Sequence, residues 1–158
     1  MAQDQSLRNH LTRLLDWHDA HADFDQVVAN LPAHMQGVRP DGLPYSLWQL
    51  LEHIRLAQVD ILDFCRNPQY QQPAWPADYW PQTEAPPAPD AWERSVAAFR
   101  ADRQALSEMV AEPELDLFAE IDHGEGQTYL REVLLAADHG AYHLGEMVAI
   151  RRLLGVWE

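Results

Sequence analysis

Apolar positions along this chain fall on helical spacing in four separate stretches. From Ser6 to Leu31, the residues Leu7, Leu11, Leu14, Leu15, Ala22, Val27, Val28 and Leu31 recur mostly three or four apart, which predicts a first helix closed by Pro32. Gly37, Pro40, Asp41, Gly42 and Pro44 interrupt the pattern and predict a connecting loop over 33–45. Ser46, with Gln49 three residues on, makes a capping box, and Leu50, Leu51, Ile54, Ile61, Leu62 and Phe64 behind it predict a second helix over about 47–65. Asp90 and Glu93 mark the start of a third, which carries Trp92, Val96, Phe99, Leu106 and Val110 and ends before Pro113. Thr128 caps a fourth, running to about Leu154, with Arg151 and Arg152 at the negative end of its dipole and Gly155 just beyond.

The stretch between the second and third helices is of another kind. It holds Pro68, Pro73, Pro76, Pro81, Pro86, Pro87 and Pro89, which rules out regular helix or sheet there. It also holds Tyr70, Trp75, Tyr79 and Trp80, and so many large aromatic groups predict a segment packed on the body, as a lid over a site or as a clasp. No segment alternates with period two. Four amphipathic stripes, each needing a partner face, predict an all-α fold: a four-helix bundle with a long proline- and aromatic-rich crossover between helices two and three. Residues 1–158 read as a single domain without internal repeats, and a crossover this long allows helices two and three to run parallel.

Chemistry concentrates in the histidines. His139 and His143 are an i, i+4 pair in the middle of the fourth helix, so both rings leave one face and can converge on one ion. Eight histidines in 158 residues give about 0.4 such pairs by chance. The context adds weight, because Leu135, Ala136, Met147 and Ile150 share that face and turn it inward. His53 supplies a third ligand from the second helix, where it stands among Leu50, Ile54, Leu56 and Ala57 with no local partner for its ring. Three neutral imidazoles leave positions open for water or substrate, as in a catalytic rather than a structural site. Leu50 and Ala136 stand three residues before His53 and His139, where a di-iron bundle needs carboxylates, so the count is one metal. Phosphate loops, nucleophile elbows and paired-cysteine zinc motifs are missing from the sequence.

These residues carry a resemblance. Ser46 to His53 on the second helix, Ala137 to Glu146 on the fourth and the closing Arg151 to Trp157 resemble the DinB-like superfamily of metal-binding four-helix bundles, over nearly the whole chain. The resemblance implies one divalent metal ion, commonly nickel, zinc or iron, held by His53, His139 and His143. It also implies thiol-dependent transferases or isomerases that use a low-molecular-weight thiol, and a bundle that pairs as a homodimer. On this reading the protein is a metal-dependent enzyme, a thiol S-transferase, isomerase or hydrolase acting on a small molecule. The alternative is a non-catalytic module in which the ion pins two helices together.

Glu146, one turn beyond His143, is the candidate catalytic residue where members of the family often have glutamine. It reads as a fourth ligand, an acceptor orienting an imidazole N–H, a base acting on metal-bound water, or an exposed helix glutamate. Asp60, two turns after His53, is an outer acceptor or plain surface charge. His18, His21 and Asp25 break the apolar stripe of the first helix and suggest the mouth of a pocket. Arg103 interrupts the stripe of the third helix as a carboxylate clamp or as half of a salt bridge.

Composition narrows the partners. With 25 acidic and 11 basic residues the net charge is −14, which repels phosphate backbones and anionic membranes, so nucleic acid and membrane are excluded as partners. Cys65 is the single cysteine, so no internal disulfide exists, and with no apolar leader the expected compartment is the cytoplasm. Cys65 itself reads as a small buried apolar residue behind Phe64.

Overall fold

The computed structural model describes residues 2–16 and 19–157. Among them are five α-helices: α1 (Ala2–Leu14), α2 (Phe24–Val28), α3 (Leu47–Arg66), α4 (Ala91–Ala111) and α5 (Tyr129–Leu153). Two single-turn 3-10 helices, Ala33–Met35 and Ala77–Tyr79, sit in the connections. The described residues contain no strand, only an isolated bridge between Glu120 and Thr128. The fold is all-helical, and among the described residues no helix is long and apolar enough to cross a membrane.

The predicted first helix is in fact two. It stops at Leu14 and starts again at Phe24, where the Asp23 side chain accepts from the Gln26 amide and the Gln26 side chain accepts from the Asp23 amide. That reciprocal cap satisfies two amide donors of a new helix and fixes a helix start in the middle of the apparent stripe. The other three helices lie where the pattern puts them. Ser46 and Gln49 close the expected capping box on α3, and the Thr128 hydroxyl accepts from the Arg131 amide on α5. Asp90 differs, because its carboxylate pairs with Arg94 instead of capping α4.

Apolar burial falls into two clusters. Phe24, Leu47, Leu51, Trp92, Phe99 and Met147 belong to one, in which the N-terminal halves of α3 and α4 meet the C-terminal half of α5. The other gathers Leu11, Leu62, Leu106, Val110, Leu117 and Val133 around the opposite ends of the same helices. Helices α3 and α4 therefore run side by side in one direction, with α5 reversed against them. Gln58 donates to the Phe99 carbonyl between the clusters.

Buried arginines hold the two ends. Arg151 lies in the last turn of α5, as expected at the negative end of the dipole, and by donating to the carbonyls of Val27, Ala29 and Val156 it also ties α5 to the end of α2. Arg8 does the same at the other end, donating to the carbonyls of Val110, Glu112 and Leu115. Both supply donors to carbonyls that a helix end leaves unpaired.

The proline-rich residues 67–90 follow α3 and are docked on it. The Ser46 hydroxyl donates to the Glu84 carbonyl at 2.5 Å, and the Trp48 indole donates to the Thr83 hydroxyl. Close to that latch, a Cβ added at Gly37 would collide with Ala85, so the loop before α3 approaches the segment at a distance only glycine allows.

Candidate metal centre

Three histidines meet between α3 and α5. The capping box starts α3 at a fixed residue, which puts His53 in its second turn on the face turned to α5. His139 and His143 leave α5 one turn apart toward the same point. Their ligand atoms lie within 4.8 Å of one another, the one such group among the described residues. His53 is 2% exposed and His143 7%, so two of the rings are core residues. His53 Nε2 and His139 Nε2 stand 3.1 Å apart, close enough to share one ion at about 2.0–2.1 Å from each.

Outer acceptors set the ring orientations. A carbonyl can only accept, so His53 Nδ1–H donates to the Tyr79 carbonyl at 2.8 Å and leaves Nε2 as a lone-pair donor facing the other rings. In the same way His143 Nδ1–H donates to Glu146 Oε2 at 2.6 Å. With His53 Nε2 unprotonated, it is His139 that contributes the proton in their contact, and a bound cation would displace it. Trp80 lies flat on the His53 ring, with centroids 3.9 Å apart and planes 3° apart, and Tyr45 stacks on the far side of the indole at 4.1 Å. His53 therefore has its plane, tautomer and depth fixed by groups outside the trio.

Burial keeps the set neutral. Desolvation pushes His139 and His143 down to about 4, reinforced at both by the neighbouring rings. His53 is also lowered by burial, against the opposing pull of the Tyr79 carbonyl and Glu146. Near neutral pH all three rings are uncharged imidazoles, the charge state a divalent cation requires, with the Nε2 of His53 already free and that of His139 freed when its proton is displaced, so the residues present fit one ion. Glu146 is raised by burial, with His53 acting against the shift. Beside it is a cavity of about 70 Å³ lined by Leu43, Tyr45, Leu50 and Ile150.

The remaining candidates lie elsewhere. Asp60 is neither free surface charge nor in contact with the histidines, because it accepts from Tyr79 Oη at 2.6 Å and Tyr70 Oη at 2.8 Å. Burial and the Asp60 carboxylate raise both phenols, Tyr79 to about 12, so each is a neutral donor. Arg103 is half of a salt bridge, 2.7 Å from Asp16 and 3.7 Å from Asp25. His21 and Arg103 line a separate cavity of about 270 Å³ with Leu14, Phe24, Phe99 and Gly140, which none of the three clustered histidines touches. His18 lies outside the described residues. Of the crossover aromatics, Tyr79 and Trp80 pack at the site while Trp75 is 68% exposed.

Sequence reasoning missed Tyr45 and the Tyr79 carbonyl. A main-chain acceptor leaves no mark in a sequence, and the one available sign was the density of aromatic residues among the prolines. A family model described as the DinB superfamily matches residues 16–147 of the chain. No curated protein and no solved structure matches it.

Proposed function

The chain belongs to the DinB superfamily, and on that premise we propose that it is a metal-dependent enzyme with a mononuclear centre held by His53, His139 and His143. The observation that carries this is the pair of outer acceptors. Tyr79 and Glu146 take the Nδ1–H of His53 and His143, which leaves each Nε2 lone pair to a ligand. The four long helices are read as a four-helix bundle in one domain, with residues 67–90 as its crossover, and the protein as a homodimer.

A divalent cation, nickel, zinc or iron, would supply Lewis acidity and lower the pKa of a bound thiol. The chain's own residues do the rest. His53 and His143 are held rigid by acceptors and by the Trp80 stack, so little ordering is left for the moment of binding. Glu146 has two roles in this proposal: it orients His143, and as the carboxylate beside the trio, made more basic by burial, it accepts the proton of an incoming thiol. The acid–base demands of thiol transfer, of the related isomerisation and of hydrolysis are met by this set. The family favours the first two, with a low-molecular-weight thiol as cosubstrate. Cys65 is not the nucleophile, since it is buried and its thiol is pushed up to about 12.

Elemental mass spectrometry on untagged protein purified without added metal tests the centre. Near-stoichiometric metal is expected in the wild type and none in a variant with His53, His139 and His143 changed to alanine. Equal metal in both, or none in either, would overturn the assignment. Glu146→Gln should keep the metal while lowering thiol transfer by about 10²-fold or more, the range for loss of a general base. An unchanged rate would remove Glu146 from the chemistry.

A further inference from the structure

Asp60 and His53 share α3 but lie seven residues apart, about 10 Å along the axis, so the carboxylate cannot reach the histidine cluster itself. It reaches Tyr79 instead. Tyr79 makes two connections at once: its phenol donates to Asp60 Oδ2 at 2.6 Å, and its main-chain carbonyl accepts from His53 Nδ1 at 2.8 Å. The next residue, Trp80, is the one stacked on the His53 ring. Tyr79 is buried at 8% exposure, and Tyr70 uses the other oxygen of the same carboxylate.

The height of that carbonyl along α3 is not dictated locally. Ala77–Tyr79 is one 3-10 turn within a stretch interrupted by prolines, so no long hydrogen-bond ladder fixes it. The Asp60–Tyr79 bond does fix it, because Asp60 belongs to the same rigid helix as His53. Between them they form a closed loop: α3 backbone from His53 to Asp60, side-chain bond to Tyr79, and main-chain bond back to His53.

We propose that Asp60 is a positioning residue of the three-histidine site, acting through Tyr79 to hold the carbonyl that sets the His53 tautomer and ring angle. The assignment rests on reading His53 as a metal ligand. Its consequence is reciprocal coupling: an ion on His53 stabilises the docked 77–80 turn, and loosening that turn weakens the ion by the same factor.

The test uses full-length protein with Asp60→Ala, Tyr79→Phe, which keeps the ring and the carbonyl and removes only the hydroxyl, and Tyr70→Phe as a comparison. In metal-free protein with ¹⁵N-labelled histidine, long-range ¹H–¹⁵N spectra should show His53 as the Nδ1–H tautomer in the wild type. In Asp60→Ala and Tyr79→Phe it should become a mixture with the Nε2–H form, a signature that simple destabilisation would not give. In chelator competition with zinc, both variants should bind about tenfold or more weakly. The double variant should bind no more weakly than Asp60→Ala alone, because both act along one path. Tyr70→Phe should stay within about twofold of the wild type. If Asp60→Ala does not fold, Tyr79→Phe decides. An unchanged tautomer in folded Tyr79→Phe, or a wild-type His53 without Nδ1–H, would overturn the proposal. Wild-type protein that takes up no zinc while the tautomer still shifts would instead overturn the reading of His53 as a ligand, leaving the hold of Asp60 on the ring standing.

Discussion

Cys65 sits about three turns past His53 on α3, and its chemistry is decided by where that helix puts it. Burial raises its thiol to about 12, Glu132 adds to the shift and Arg66 opposes it, so at pH 8 almost none is thiolate. A thiol-specific disulfide reagent should therefore leave Cys65 unmodified in the native protein at pH 8 and label it fully in denaturant. Cys65→Ser should keep its full metal content. Rapid native labelling would contradict the burial. Side chains differ in how far a sequence betrays them. His139 and His143 were legible because a four-residue spacing sets both rings on one apolar face, where a polar ring needs a ligand or a hydrogen-bond partner. The role of Asp60 was not, since its partners are ten and nineteen residues away in a segment whose path no periodicity predicts.

At the scale of elements, the helices were legible where a cap and a stripe agree. They agree at Ser46 and Thr128, and α3 and α5 start there. Between α1 and α2 the stripe misleads, because Leu15 and Ala22 are seven residues apart, two full turns, so it stays in phase across a break it cannot reveal. Asp23 and Gln26 held the missing sign, a capping box inside what the periodicity treats as helix interior. Ser46 has a double role: it caps α3 and latches the proline-rich segment through the Glu84 carbonyl. Ser46→Ala should lower the urea-unfolding free energy by about 1–2 kcal/mol, more than a cap of purely local effect, because the Glu84 carbonyl also loses its donor. A change under about 0.5 kcal/mol would show that the latch adds nothing.

For the whole molecule, three imidazoles drawn into one place link stability to pH. In metal-free protein His139 and His143 hold pKa values of about 4, below the 6.5 of an ordinary histidine. Between these limits the unfolded chain binds more protons than the folded one. Stability is therefore full above about pH 6.5 and is lost as pH falls toward 4. The loss should be on the order of a few kcal/mol by urea unfolding at pH 7 and pH 4.5 with chelator present. Acidification also relieves the self-repulsion of a chain of net charge −14, so the histidine contribution is read against a His139→Gln, His143→Gln variant, whose loss should be smaller. Equal losses would mean that the rings are not buried together. What the sequence determined by itself was local: helix identity, which follows from the spacing of apolar residues and their caps, and the shared face of His139 and His143, which follows from the same spacing, with His53 marked only by its apolar neighbours on another helix. The tertiary structure decided the remainder. The break between α1 and α2, the buried arginines at the two helix ends, and the Tyr79 carbonyl with the Trp80 ring on His53 all depend on contacts between residues far apart in the chain. Those contacts are made by main-chain groups and stacked faces, whose pairing depends on how the elements pack rather than on any pattern along one of them.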